Sequence, residues 1–228
     1  MIDPVYLLFM APAFLLSMGA SFMTKSAFKK YSRVRSRYGL TGAQAAQAML
    51  DRASIRDVRV IPTNGYLTDH YNPTNKTLAL SEAVYSQSSV AAIGVACHEA
   101  GHAIQHATNY APLWVRSALV PTVGIGSSIG FYGMIAGLFL QMQGLVMVGA
   151  VLFSAVLLFQ LVTLPVEFDA SARAKKLAFA QGLIAEDERK GVAKVLNAAA
   201  MTYVAAAVSS LLTLLYFLLR AGLLGNRD

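Results

Sequence analysis

Long apolar segments alternate with polar ones along the whole chain. Three segments contain no Asp, Glu, Lys or Arg, namely residues 4–24, 117–166 and 195–219. A helix needs about 20 mainly apolar residues to cross a lipid bilayer. The first and third segments are therefore long enough for one crossing each, and the middle one is long enough for two. The pattern predicts about four spans, at about 4–24, 117–140, 145–166 and 195–219, with a turn near 141–144.

The first long polar region predicts both helix and sheet. Residues 41–54 combine a capping Thr with good helix formers and apolar side chains at helical spacing, which predicts an amphipathic helix. Residues 58–62 and 77–80 have the composition of short strands, and turn-rich sequence separates them. We therefore expect a small sheet in this region.

Two further helices are predicted on either side of the middle apolar segment. From Ser86 or Ser88 an Ala-rich segment predicts a helix, with Ser as a suitable cap and no proline before Pro112. Residues 167–194 are polar and predict a helix with a break near Gly182.

Composition and charge agree with a membrane protein. Hydrophobic residues make up 56% of the 228 positions and charged residues only 14%, whereas charged residues make up about 25% of a soluble domain. Six basic residues and no acid follow the first span: Lys25, Lys29, Lys30, Arg33, Arg35 and Arg37. By the positive-inside rule they lie in the cytoplasm, and the N-terminus lies outside. They also explain much of the net charge of +7, so no nucleic-acid partner is predicted.

The same rule predicts the side of the membrane for the other segments. It places residues of about 25–116 and 167–194 in the cytoplasm. We expect residues 1–228 to form a single membrane-embedded domain. A cleaved signal peptide is disfavoured, because no basic region precedes the first apolar segment.

The run His98-Glu99-Ala100-Gly101-His102 contains the candidate chemistry. Residues four apart on a helix lie about 40° apart around its axis, so both imidazoles can reach one zinc ion. The glutamate of an HExxH site is not a ligand, and it moves a proton from the attacking water to the leaving amine. The run therefore predicts one Zn²⁺ per chain, with His98 and His102 as ligands and Glu99 as the base. The alternative is a packed pair of histidines without metal, which the cost of ionisable groups in an apolar helix disfavours.

A third zinc ligand is needed, because a catalytic zinc of this type has three protein ligands and one open position. His106 lies about 12 Å along the helix from His98, which is too far for both to bind one ion. His70, in a loop before the second strand, is possible if that loop folds over the site. Glu167 is the better candidate, since two crossings between it and the HExxH helix return the chain to the same face. Three basic residues follow Glu167 and mark that face as cytoplasmic: Arg173, Lys175 and Lys176.

Several segments together resemble the neutral zinc metallopeptidases of bacterial membranes, a family that is distantly similar to HtpX and the CAAX prenyl proteases. The segments are GYLTDHYNPTNKTLALSE, SSVAAIGVACHEAGHAIQHA, NYAPLWVR, PVEFDASARA and VLNAAAMTYVAA. The resemblance covers nearly the whole chain and implies a gluzincin site with Glu167 as the third ligand.

The resemblance also implies supporting residues. In the HtpX-like enzymes the ligand Glu lies in a Glu-Phe-x-Ala-Asp pattern whose Asp orients a zinc-bound His. Here the pattern is Glu167-Phe168-Asp169-Ala170-Ser171, so either Ser171 or Asp169 takes that role. Residues 77–81, with Leu78 and Ala79, correspond to the edge strand on which such peptidases align an extended substrate.

The combined prediction is a mainly α multi-pass membrane protein of about four spans with a small α+β, zincin-like domain. It is expected in a bacterial inner membrane, as a zinc endopeptidase that cleaves membrane-associated peptides or proteins at the cytoplasmic face. One alternative is a site-2-type intramembrane protease, which is disfavoured because no Asp occurs in an apolar span after His102. Another is a non-enzymatic membrane scaffold with a structural zinc, for which His70 would complete a closed four-ligand site.

Overall fold

Helices make up most of the computed structural model, which describes residues 3–224. The α-helices are α1 (Pro4–Tyr31), α2 (Gly42–Arg52), α3 (Glu82–Tyr85), α4 (Val90–Ala107), α5 (Ala111–Ile125), α6 (Phe131–Phe139), α7 (Gln143–Ala180) and α8 (Arg189–Arg220). A π-helical turn, Gly126–Gly130, joins α5 to α6, and a 3₁₀ turn, Glu186–Glu188, precedes α8. The strands are β1 (Arg59–Thr63), β2 (His70–Asn72) and β3 (Thr77–Ser81).

The chain forms two compact units. The first, here called the helical unit, contains residues 3–20, Trp114–Leu164 and residues 202–224. The second, here called the sheet unit, contains Ser21–Leu113 and Pro165–Met201. Parts of α1, α7 and α8 belong to each unit.

Three helical stretches are long and apolar enough to cross a membrane, namely Pro4–Tyr31, Gln143–Ala180 and Glu186–Arg220. A fourth crossing is available if α5 and α6 act as one span, although their axes differ by 51°. The bend coincides with the π-helical turn, a common cause of such kinks. The turn predicted near residues 141–144 lies between α6 and α7.

Close helix packing in the helical unit depends on small residues. A Cβ added at Gly130 would lie 2.7 Å from the backbone nitrogen of Phe153, and one at Gly149 would lie 2.7 Å from the backbone nitrogen of Met134. Either methyl group would force α6 and α7 apart, which is the steric basis of small-residue packing between membrane helices.

Polar contacts join three chain segments at one end of the helical unit. The guanidinium of Arg220 lies 3.1 Å from the carboxylate of Asp3, and the hydroxyl of Tyr216 donates to the same carboxylate at 3.2 Å. The side-chain amide of Gln143 donates to the carbonyl of Ala221 at 2.9 Å. The start of α1, the turn before α7 and the end of α8 therefore lie together.

The sheet unit contains a three-stranded sheet of order β1-β3-β2. β1 pairs with β3 in parallel, and β2 pairs with β3 antiparallel, with Tyr71 opposite Leu78. Every residue of β3 is buried. The core around the sheet is largely aliphatic and includes Met49, Leu50, Leu80 and Ile93, all fully buried.

Most of the elements predicted for the sheet unit are present, with shifted ends. Thr41 caps α2 through a reciprocal pair of hydrogen bonds with Gln44, as the capping Thr predicted. The cap of α4 is Ser89, whose hydroxyl accepts from the backbone of Ala92 at 3.2 Å, so the predicted serine cap is confirmed and the helix begins at Val90, just after the predicted start at Ser86 or Ser88. The helix break predicted near Gly182 is confirmed, because Gly182 has a φ of +64° just after α7 ends.

The sheet differs from the prediction in one strand and in one position. β2 was not predicted, because it is only three residues long and its sequence pattern does not distinguish it from the surrounding turns. The prediction that residues 77–81 form an edge strand is wrong, because β3 has a hydrogen-bonded strand on each side. Leu78 and Ala79 are buried, and the backbone of β3 already pairs with β1 and β2, which leaves it no free edge for an extended substrate within residues 3–224.

Candidate metal centre

Three side chains with zinc-binding atoms converge in the sheet unit. His98 and His102 lie on α4 and Glu167 lies on α7, and their ligand atoms are all within 4.8 Å of one another. One carboxylate oxygen of Glu167 is 3.2 Å from Nε2 of His98 and 3.5 Å from Nε2 of His102. Glu167 and His102 are buried and His98 is partly buried. Within residues 3–224, these three are the His, Cys, Asp or Glu side chains that lie close enough together to hold a metal ion.

The spacing of the three donors fits a tetrahedral zinc ion. Ligand atoms about 2.0–2.1 Å from such an ion lie about 3.3 Å from one another, close to both nitrogen–oxygen distances. Two imidazoles and a carboxylate are also a donor set that zinc accepts in hydrolytic sites. The residues present therefore fit the metal.

A glycine allows the two helices that supply the ligands to approach closely. A Cβ at Gly101, next to His102, would lie 2.8 Å from the carbonyl oxygen of Ala170 on α7. Ala170 itself is fully buried and is one turn beyond Glu167. The small residues at this contact place the carboxylate within reach of both imidazoles.

His98 is oriented by a hydroxyl group. Its Nδ1 lies 3.1 Å from Oγ of Ser171, a buried residue one turn beyond Glu167 on α7. With its proton on Nδ1, His98 donates to this hydroxyl, and its Nε2, which lies near Glu167, is left unprotonated and able to bind a metal. Ser171 is one of the two residues expected to orient a ligand histidine, and the structure places it against His98.

His102 is oriented by an amide. Its Nδ1 lies 2.9 Å from the side-chain oxygen of Gln105, which is fully buried. The side-chain nitrogen of Gln105 donates to the carbonyl of Val166 and to the carboxylate of Asp169, both at 2.8 Å. Because both of these partners are acceptors, the Gln105 oxygen must face His102. His102 therefore donates from Nδ1 and leaves Nε2 available for a metal.

Asp169 contacts the metal centre indirectly, because its carboxylate accepts a hydrogen bond from the Gln105 side chain that orients His102. Its carboxylate also accepts from Nε of Arg173 at 2.6 Å, and the Arg173 guanidinium lies 5.7 Å from the centre of the Tyr110 ring. Asp169 and Ser171 were alternatives for one role, and the structure places them behind different histidines. The role of Gln105 was not predicted from the sequence, although a polar residue three positions after His102 on an apolar helix was an available signal.

Glu99 is buried beside the ligands, with 7% of its surface exposed. Burial raises the pKa of Glu99, and the nearby imidazoles of His98 and His102 lower it by a smaller amount. The net upward shift moves this carboxylate towards the neutral range, where a group both takes and returns a proton most effectively.

The other two histidines lie elsewhere. His70 is exposed, and its Nδ1 is 2.8 Å from the carbonyl of Thr68, so it is not a member of the three-ligand cluster. His106 joins α4 to β2, since its Nδ1 is 2.7 Å from the hydroxyl of Tyr71. Burial, with the nearby charge of Asp57, raises the pKa of Tyr71 to about 12, so this hydroxyl keeps its proton at neutral pH.

Comparison with known proteins gives one family and a close relative. A family profile described as "Putative neutral zinc metallopeptidase" matches residues 6–222. The "Putative membrane protease YugP" of Bacillus subtilis (strain 168) is 48% identical over 204 residues, which cover 90% of this chain and 91% of that protein. No solved structure matches the chain.

Proposed function

The chain belongs to the family described as "Putative neutral zinc metallopeptidase", and from this premise we propose that it is a zinc-dependent membrane endopeptidase. The family is the one that the sequence resemblance predicted. The observation that supports catalysis is the convergence of His98, His102 and Glu167 beside the buried carboxylate of Glu99.

The proposed reaction is hydrolysis of a peptide bond. His98, His102 and Glu167 would hold the metal, and zinc bound there would polarise the peptide carbonyl and make water more acidic. A carboxylate oxygen of Glu99 takes a proton from the attacking water and delivers it to the amine nitrogen as the carbon–nitrogen bond breaks. The hydrogen bonds that His98 and His102 donate from Nδ1 to Ser171 and Gln105 keep both imidazoles in the tautomer that offers Nε2.

An extended substrate needs a strand with an unpaired side, and β2 is the best candidate. In the part of the chain that the structure describes, β2 pairs only with β3. It contacts the metal-site helix α4 through the Tyr71–His106 hydrogen bond. We therefore place the substrate strand along β2. A photo-crosslinking residue at Asn72 should capture a bound peptide, and the same residue at Arg59 on β1 should not; the reverse result would assign the substrate to β1.

Four membrane crossings are supported by contacts within the helical unit. The Asp3–Arg220 ion pair joins the start of α1 to the end of α8, so the two chain ends lie on one side of a membrane. An even number of crossings is then required, and the bent α5–α6 pair supplies the fourth. The basic residues after the first span favour an external N-terminus and a catalytic site that faces the cytoplasm.

The test combines metal content with cleavage of casein or a fluorogenic peptide by the purified full-length protein. His98→Ala and Glu167→Ala should lose zinc. Glu99→Gln should keep zinc and lose cleavage by about 10²–10⁴-fold, the usual contribution of a general base. Glu82→Gln, the same change at an exposed glutamate on α3, is the matched control.

Three outcomes would contradict the proposal in different ways. Unchanged cleavage in Glu99→Gln would remove Glu99 from the mechanism. Full zinc occupancy in Glu167→Ala would exclude Glu167 as a ligand. A wild-type protein that holds zinc and cleaves no peptide would favour the scaffold alternative.

A further inference from the structure

An open cleft lies within the sheet unit, formed by residues other than those of the metal centre. Its volume is about 1020 Å³, at the upper end of the range for small-molecule sites, about 300–1,000 Å³. The C-terminal half of α7, the start of α8 and the connection between them form its walls. None of His98, Glu99, His102 or Glu167 lines it.

The cleft has an apolar floor and a basic rim. Ile184 and Val192 are buried at the floor, and Ala172, Ala180 and Ala193 leave space that larger side chains would fill. The rim contains four basic and two acidic side chains: Lys175, Lys176, Arg189, Lys190, Glu186 and Asp187.

The two rim carboxylates are already paired. Glu186 binds Arg189 at 3.0 Å, and Asp187 binds Arg37, which does not line the cleft, at 2.8 Å. The guanidinium of Arg189 also lies 4.2 Å from the centre of the Phe179 ring, so its position is held from two sides.

Three lysines remain without a compensating charge. Within residues 3–224, no carboxylate lies at ion-pair distance from Lys175, Lys176 or Lys190. The ammonium of Lys175 donates to the amide oxygen of Asn197 at 3.0 Å, which is a neutral partner. The cleft therefore presents three positive charges above apolar surface, a combination that matches a ligand with an anionic group and a hydrocarbon part.

The position of the cleft along its two helices suggests which ligand this is. Both helices are membrane-length apolar stretches. Lys190 lies five residues before Val195, the first residue of the apolar run of α8, and the ammonium of Lys175 contacts the side chain of Asn197, the third residue of that run. Five residues are about 8 Å along a helix, close to the depth of a headgroup layer, about 5–8 Å on each side of the hydrocarbon core.

We propose that the cleft binds the headgroup of an anionic phospholipid from the membrane that α7 and α8 enter. The phosphate lies among Lys175, Lys176 and Lys190, and the start of an acyl chain lies against Ala172 and Ala193, the lining residues nearest the apolar runs of α7 and α8. Basic clefts between membrane helices bind anionic headgroups in this way. The proposal depends on membrane insertion of the two helices and is independent of zinc and of peptide hydrolysis.

Native mass spectrometry of the full-length protein in detergent tests the proposal, with phosphatidylglycerol and phosphatidylcholine as probes. Phosphatidylglycerol should bind more tightly than phosphatidylcholine. Replacing Lys175, Lys176 and Lys190 together with Gln should weaken phosphatidylglycerol binding by about a hundredfold, since each lysine near an anionic headgroup contributes about fivefold. Ala193→Leu, which fills the cleft without changing charge, should weaken it as well.

The matched control replaces Lys29, Lys30 and Lys194 with Gln, which removes the same charge from residues outside the cleft. Equal loss of binding in this control would show nonspecific attraction and overturn the proposal, as would equal binding of the two lipids. Inorganic phosphate that displaces the lipid at equal concentration would assign the site to a free anion and also overturn it. All variants should keep wild-type zinc content, so failure here is distinct from failure of the proposed peptidase activity.

Discussion

Each of the two ligand histidines makes a hydrogen bond at Nδ1, and the two partner side chains differ in how many further hydrogen bonds fix their own position. His98 meets a single hydroxyl, whereas His102 meets an amide that makes two further hydrogen bonds of its own. Loss of Gln105 would free the His102 ring and leave the carbonyl of Val166 without this donor. Groups in this position behind a metal ligand typically change metal affinity by about 10–100-fold.

We therefore predict that Gln105→Leu weakens zinc binding by about 10–100-fold. Ser171→Ala should have a smaller effect, because only one hydrogen bond is lost. The apparent zinc Kd is measured by competition with a chelator, which separates positioning of the ligand from catalysis. Gln47→Leu, at an exposed position on α2, is the control. Equal zinc affinity in Gln105→Leu and the control would remove the role given to Gln105.

The contact between α4 and α7 determines whether three ligands can share one ion. His98 and His102 are on one helix, and Glu167, Ser171 and Asp169 are on the other. Gly101 lies at their closest approach. A small increase in the distance between the helices would therefore separate the metal ligands and break the hydrogen bonds behind them.

Gly101→Ala is expected to destabilise the protein by about 1–3 kcal/mol, the usual cost of an overpacked contact, and to lower its zinc content. Gly94→Ala is the matched control on the same helix, because its added Cβ would lie 3.4 Å from the side chain of Val192. That change should be neutral or slightly stabilising, since alanine favours helix over glycine by about 1 kcal/mol. Thermal unfolding and metal analysis distinguish the two variants, and similar results for both would contradict the prediction.

Bound zinc should also stabilise the contact between α4 and α7, because its ligands lie on both helices. An ion that binds only the folded state stabilises it by about 3–4 kcal/mol at 100–1,000 times its Kd. A change of that size corresponds to a fall in Tm of roughly 5–15 °C for a chain of this length when a chelator removes the metal. Glu167→Ala should unfold at a lower temperature and respond little to the chelator. A Tm of the wild-type protein that ignores the chelator would contradict the prediction.

The number of crossings is a property of the whole chain that labelling can test. Cys97 provides a low background, because it is buried and burial raises the pKa of its thiol to about 12. Met142→Cys, in the turn before α7, should react with a membrane-impermeant maleimide in intact cells. Gln87→Cys, before α4, should react only after the cells are permeabilised. Labelling of both positions from the same side would contradict the proposed arrangement.

Several predictions made from local sequence patterns agree with the structure. The apolar runs identified α1, α7 and α8, and the capping Thr identified the start of α2. The HExxH spacing placed two imidazoles on one face of α4, because helical geometry alone determines that relation. The family resemblance was confirmed over residues 6–222.

Predictions that depended on distant contacts were less complete. Residues 77–81 were correctly expected to be a strand, but the neighbours of β3 come from segments on both sides of it in the chain, so its central position was not visible in its own residues. Gln105 was missed because its partners, Val166 and Asp169, lie more than 60 positions away.

The sequence by itself determined which residue types were available for zinc chemistry and which segments were apolar enough to cross a membrane, since both follow from local composition and spacing. Only the tertiary structure decided that Glu167, and not His70, lies with His98 and His102. It also decided that Ser171 supports one histidine and Asp169, through Gln105, the other. The physical reason is the same in each case: these relations are set by the close packing of α4 against α7 at Gly101 and Ala170, and no local pattern specifies a contact between residues about 70 positions apart.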